Sequence, residues 1–425
     1  MADTGIAEAV HPADPHADAP HAGPSRPTLR VRYRLTPWWV RVLVIFAASR
    51  VITTIILLVF AWLQQANPWT GAHPDYFSFA QIWDGTWYQI VAMYGYPAHL
   101  SFDSAGHIEQ NAWAFLPAYP FLVRGLMAIT RLPFDIVGVL VSVGFAAGTA
   151  LVFFKLLLKQ LGSSTALFAV LLFCVAPLSP IFQVDYAESM QLFFLAVSLL
   201  LLQRRQYWLM LPFVAFMSFT RPTGLAFALA LGIHVIYRWV ERRRDPFPPR
   251  EAFAAVAATA ASAILGYAWP FIAGVVTGVP DAYTATELSW RAPYVGWGPL
   301  VPFQPWIQGA QWWANWIGVP NPVLAFIALI VAVVLFGLML FSRPVKRIGV
   351  DLRIWVASWT IYLLAVFFPQ SSVFRLFVPI FPLLGAVALP RSIAYRIGIV
   401  ALFIAGQIGW VYVAYWSNGY DWTPP

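Results

Sequence analysis

The sequence predicts an all-α polytopic membrane protein, a bundle of about eleven transmembrane helices with juxtamembrane helices in its first outer loop. Three observations predict it. Hydrophobic residues make up 60% of the 425-residue chain and charged residues only 10%, whereas a water-soluble domain carries roughly 25% charged residues. Apolar runs of about 20 residues recur along the chain, the length a helix needs to cross ~30 Å of hydrocarbon. Basic residues collect in the short loops between those runs, which is how orientation in a bilayer is encoded. The net charge of +8 therefore reads as loop charge, and no nucleic-acid partner is expected. Cys174 is the only cysteine, which excludes an intramolecular disulfide and a cysteine-based metal cluster.

Residues 1–37 are rich in Ala, Pro, His and Asp and then in Arg, without apolar periodicity. They read as a disordered cytoplasmic tail. Residues 38–416 form the membrane domain. Arg26, Arg30, Arg32, Arg34 and Arg41 place the start of the first span, 42–63, in the cytoplasm. Residues 64–134 are the first outer loop. Further spans centre on 135–155, 164–182, 187–203, 207–220, 223–239, 252–277, 321–342, 353–369, 374–389 and 397–416. Residues 278–320 are a second large outer loop, and 417–425 a short outer tail. With the arginine-rich loops at 203–205, 242–244, 343–353 and 391–396 inside, Asp185, Arg221 and Gln370 face outside. The apolar segment 113–130 would invert that order if it crossed. Its Pro117, Pro120 and Arg124 also disfavour a span, so it is expected to lie at the membrane surface. Residues 220–224 between two short spans read either as a tight hairpin or as irregular backbone lining a cavity.

In the first outer loop, Phe79, Ile82, Trp83, Trp87, Ile90, Val91 and Tyr94 share one face at ~100° per residue, predicting an interfacial amphipathic helix. Asp84 falls at the rim of that face. There it either caps or solvates a surface helix, or serves as a general base on a hydroxyl at the lipid boundary. Asp185 and Glu188 are candidates for orienting an acceptor hydroxyl, with helix capping as the alternative for Glu188. Arg221, Arg291 and Arg375 are candidates for a phosphate, whose oxygens match a guanidinium, with headgroup snorkelling as the alternative. Arg50 sits inside the first span, where a charge marks function or pairing within the bundle. Trp306, Trp312, Trp313 and Trp316 could stack on sugar rings. His73, His99 and His107 lack ligand-like spacing.

The run Trp83-Asp84-Gly85-Thr86-Trp87-Tyr88, then Gly95-Tyr96-Pro97 and Ala114-Phe115-Leu116-Pro117-Ala118-Tyr119-Pro120 resembles the opening of the PIG-V type mannosyltransferases of the GT-C superfamily, in bacterial, actinobacterial-type form. The likeness continues through Asp185-Tyr186-Ala187-Glu188-Ser189, Thr220-Arg221-Pro222-Thr223-Gly224 and Phe374-Arg375-Leu376-Phe377-Val378-Pro379. The resemblance implies a GT-C-like bundle in the plasma membrane that moves mannose, or another hexose, from a polyprenyl-phosphate-linked donor to an outer glycan, glycolipid or protein acceptor, with inversion. It implies Asp84 as catalytic base. Arg375, Arg221 and Arg291 are then expected at the donor phosphate, and Trp83, Trp87, Tyr88, Asp185 and Glu188 at sugar or acceptor. No metal ligand set is expected and no cofactor is required, with room left for a divalent cation. The rival expectation is a transporter or lipid-linked-sugar flippase without covalent transfer, although no internal repeat is visible.

Overall fold

The computed structural model describes residues 36–417, so the tails expected at 1–37 and 417–425 lie outside the described residues except at their inner ends. The chain divides into a unit ending at Arg41 and a unit beginning at Val42; the bundle and site below belong to the second. Among the described residues the structure is helical, with one isolated bridge between Phe102 and Ile108. In chain order the helices are α1 Trp38–Leu63, α2 Tyr76–Ala80, α3 Asp84–Tyr94, α4 Ala118–Thr130, α5 Phe134–Leu161, α6 Ser163–Val175, α7 Glu188–Gln203, α8 Tyr207–Ser218 and α9 Gly224–Glu241. They continue as α10 Pro249–Thr277, α11 Ala282–Val295, α12 Gln304–Trp316, α13 Pro322–Leu340, α14 Arg343–Lys346, α15 Val350–Val366, α16 Val373–Leu376, α17 Leu384–Val387 and α18 Ile393–Trp410.

Six of these are long and apolar enough to cross a membrane: α1, α5, α9, α10, α13, and α18 with its π-helical extension to Tyr415. Three of the other expected spans appear as the shorter apolar helices α6, α7 and α8, and the one expected at 353–369 as the 17-residue α15. The segment expected to lie at the surface forms α4, only 13 residues long. The expected span 374–389 is not one helix. Pro379 and Pro382 lack the N–H that an α-helix needs, and the chain there runs through α16, a 3₁₀ segment Val378–Leu383 and α17.

Close packing around small residues sets the bundle. A Cβ on Gly224 at the start of α9 would lie 2.6 Å from the Gly266 Cα in α10. The two backbones therefore touch, as small residues allow between apolar helices. Arg50, placed inside α1 by its sequence, is buried and satisfied by oxygens alone. Its guanidinium donates to the Cys174 carbonyl at 2.5 Å, the Ser179 carbonyl at 2.8 Å and the Gln183 side chain at 3.2 Å. It closes the C-terminal end of α6, whose last carbonyls have no helical partner.

At one end of the bundle a polar network ties four helices. His234 of α9 lies 2.8 Å from Asp351 of α15 and 3.0 Å from the Tyr207 hydroxyl of α8. Arg238, one turn on, pairs with Asp245 and with Glu251 of α10 at 3.1 Å. The other end of α9 starts beside Arg221. Eighteen residues at 1.5 Å each separate the two ends by roughly 27 Å.

Candidate functional site

Four charged side chains from four separate parts of the sequence meet at that second end. Asp84 is the first residue of α3 and Glu188 the first of α7, where unpaired N–H groups favour a carboxylate. Arg221 sits in the turn between α8 and α9, and Arg375 in the single-turn α16. Arg375 grips Asp84 with two hydrogen bonds, Nη1 to Oδ2 at 2.5 Å and Nη2 to Oδ1 at 3.3 Å. Arg221 is bonded to Glu188. The cross-pairs are also close, Arg221 to Asp84 at 3.7 Å and Arg375 to Glu188 at 3.6 Å. Side-chain exposure is 13% for Asp84, 15% for Arg221, 11% for Arg375 and 3% for Glu188. The quartet is neutral in sum, and three of its members keep a face open.

Local structure explains how each arrives. The helix expected to run continuously through 79–94 breaks at Trp83, whose φ is 62°, a left-handed conformation that is costly for a bulky residue. Trp83 is held there by burial and by its indole N–H, which donates to the Tyr415 carbonyl at 2.9 Å. The break lets Asp84 start a new helix instead of sitting within one. The buried face of α3 is then Gly85, Tyr88, Val91 and Ala92, while Tyr94, expected on the apolar interfacial face, is 85% exposed. The Asp84 backbone N–H donates to the Tyr186 hydroxyl at 3.4 Å, and the Tyr186 ring underlies the Arg375 guanidinium at 5.6 Å. In the 220–224 turn, Thr220 bonds back to the Phe216 carbonyl. Thr223 accepts from Gln191 at 2.7 Å. Both threonines are buried, so Arg221 alone turns into the site. Burial would lower the Arg221 guanidinium, but Glu188, Tyr88 and Asp84 outweigh it and raise it above its ordinary value.

The expected site residues divide. Asp84, Glu188, Arg221 and Arg375 come together. Trp87 stays partly exposed beside them, stacked on Phe115 at 5.4 Å and meeting the edge of Trp290 at 5.6 Å. Four others are corrected. Trp83 is an anchor in the core, not a sugar platform. Tyr88 is fully buried between the Phe115 and Tyr119 rings. Asp185 is fully buried too, under Gly138, where a Cβ would come within 2.5 Å of its Oδ1. Neither of its carboxylate oxygens has a hydrogen-bond partner, and burial pushes it well above the usual carboxylate range. Arg291 makes no ion pair with the quartet: it is buried and donates to the Gly298 carbonyl at 3.2 Å. Trp306 and Trp313 also serve the scaffold, donating to the Leu363 and Pro369 carbonyls.

Sequence reasoning missed Glu287. It lies on α11, is hydrogen-bonded to Tyr283 one turn earlier, and sits in the field of Arg221, Asp84 and Arg375. Burial pushes its carboxyl up to about 7, against the lowering bond from Tyr283 and the two arginines. The available signal was an acidic residue four positions after a tyrosine in an aromatic-rich outer loop. No protein-family model matches the sequence, and no curated protein matches it.

Proposed function

We propose that this protein is a GT-C-like membrane glycosyltransferase of about eleven spans, which moves mannose or another hexose from a polyprenyl-phosphate donor to an outward-facing acceptor. The observation that carries this reading is the bidentate Asp84–Arg375 pair, crossed with Arg221 and Glu188 in a cluster of which three side chains keep 11–15% exposure. A guanidinium that holds a carboxylate in two-point geometry is shaped to hold phosphate oxygens the same way. When a donor phosphate engages Arg375 and Arg221, Asp84 loses its partner and its oxygens are freed to accept from the acceptor hydroxyl. Donor binding thus primes proton removal.

In the reaction, an acceptor hydroxyl attacks the anomeric carbon from the face opposite the phosphate. Its proton passes to Asp84, the new C–O bond forms with inversion, and the sugar–phosphate C–O bond breaks with its electron pair on the phosphate oxygen. Two guanidiniums receive that developing charge, the kind of prearranged stabilisation that dominates transfer chemistry. Orientation agrees with this: the quartet stands at one end of the bundle and the arginine-rich loops around Arg205 and Arg243 at the other. With positive loops inside, the chamber faces out of the plasma membrane.

The test is radiolabelled polyprenyl-phosphate-mannose incubated with the purified protein in lipid vesicles. Label appearing covalently on lipid, glycan or protein, and lost in Asp84→Asn, is the expected result. Label that crosses the bilayer without bond exchange would establish the flippase instead, and label that neither transfers nor crosses would leave no catalytic role standing.

A further inference from the structure

A second polar cluster faces the quartet from the other outer loop. Trp290 of α11 meets Trp87 of α3 edge-on at 5.6 Å and Phe115 at 6.1 Å. Glu287 and Trp290 are three residues apart on α11, as are Asp84 and Trp87 on α3, and residues three apart share a helix face. The tryptophan contact therefore turns Glu287 towards Asp84. Tyr283 completes the α11 side, and Tyr362 of α15 feels the Glu287 charge from across it. Asp84, Trp87, Arg221, Tyr283, Glu287, Trp290, Tyr362 and Arg375 all keep part of their surface exposed. The indole N–H of Trp290 is closed from water and has no hydrogen-bond partner, so this side chain presents its ring and not its N–H to the site.

We propose that Glu287, with Tyr283 and the Trp290 indole, is a hydroxyl-recognition subsite that holds a polyhydroxylated, uncharged acceptor across from Asp84. It rests on the glycosyl-transfer reading and adds the acceptor's side of it. Charge bears on the ligand class. The quartet is already neutral by its own pairing, so an uncharged ligand leaves those pairs intact, whereas a second anion would be repelled by Asp84, Glu188 and Glu287. A polyol suits a carboxyl and a phenol, and its C–H faces suit the partly exposed rings of Trp87 and Trp290. The raised Glu287 carboxyl exchanges its proton near neutral pH, so it accepts two hydroxyl hydrogens when ionised and only donates or accepts singly when protonated. The groups facing it are Tyr283 on its own helix, Asp84 on α3, Arg221 in the α8–α9 turn, Tyr362 on α15 and Arg375 on α16.

Saturation-transfer NMR on the full chain in lipid nanodiscs tests this with methyl α-D-mannoside, methyl α-D-glucoside and methyl α-D-galactoside as probes. At least one is expected to bind saturably in the wild type, more tightly as pH rises from 6 to 8. Glu287→Ala is expected to weaken it at least tenfold, and Glu287→Gln to weaken it severalfold and flatten the pH dependence. Tyr283→Phe, a near-isosteric check on folding, is expected to weaken it two- to fivefold with the pH dependence kept. No saturable binding by the wild type, or unchanged binding in Glu287→Ala, overturns the subsite. Covalent transfer persisting alongside that failure would leave the enzyme reading intact, whereas glycoside binding without any transfer would remove the enzyme reading alone.

Discussion

Breaking the Asp84–Arg375 pair from each side in turn has unequal consequences that can be worked from the geometry. In Arg375→Met, Asp84 and Glu188 are left sharing Arg221, the one guanidinium remaining, at 3.7 Å from Asp84 and in direct contact with Glu188. Removing one partner of a buried ion pair costs about 3–5 kcal/mol, and the 11–13% exposure of the two side chains places the cost near the lower end. In Asp84→Asn, the amide oxygen can still accept one of the two arginine bonds, so the loss is about 1.5–3 kcal/mol for a charge-assisted hydrogen bond. In the double variant the quartet becomes a single Arg221–Glu188 pair, again neutral. Its cost should fall below the sum of the singles by about 1–3 kcal/mol, the size of coupling between groups in contact. Equilibrium unfolding in mixed micelles, followed by tryptophan fluorescence, measures all four corners of this cycle. Single effects that add to within about 0.5 kcal/mol would refute the coupling, and with it the claim that these two side chains hold each other in place of a phosphate.

In the vesicle assay Asp84→Asn should cut transfer by about 10²–10⁴-fold, the usual contribution of a positioned base, while donor binding holds or tightens because Arg375 has lost its competitor; weakened donor binding would contradict the exchange of carboxylate for phosphate. Glu287 is raised in the folded state from an ordinary 4.5 to about 7, so its contribution to stability is present below pH 4.5 and lost as pH rises through 7. Glu287→Gln should therefore unfold like the wild type near pH 5 and be more stable than it at pH 8, and denaturant midpoints at the two pH values decide this. Gly224→Ala would push a Cβ to 2.6 Å from the Gly266 backbone. It should cost about 1–3 kcal/mol and lower transfer by displacing the Arg221 turn, whereas wild-type thermal stability would show that the helices separate freely. Cysteines placed at the exposed Ala105, Asp281 and Arg243 in a Cys174→Ser background should be labelled by an impermeant maleimide from outside, outside and inside respectively; Ala105 and Asp281 in opposite compartments would dismantle the shared chamber.

Composition and apolar run length by themselves determined that the chain is a helical membrane protein, because hydrocarbon leaves the backbone few other ways to pair its N–H and C=O groups. Six helices long and apolar enough to cross a membrane stand where spans were expected, and Asp84, Glu188, Arg221 and Arg375 stood out as charges beside apolar sequence. Periodicity could not reveal the left-handed break at Trp83, since that depends on Tyr415, 332 residues away in sequence, accepting the indole N–H. Nor could it separate the polar residues by depth. Asp185 and Glu188 are three residues apart, yet packing against Gly138 seals the first in the core while the turn carrying Arg221 draws the second into the site. Arg291 and Glu287 lie on one helix, and tertiary contact alone decided that the acid and not the base reaches the chamber. A sequence says which side chains carry charge; which of them share a dielectric, a partner and a cavity is fixed only when distant segments meet.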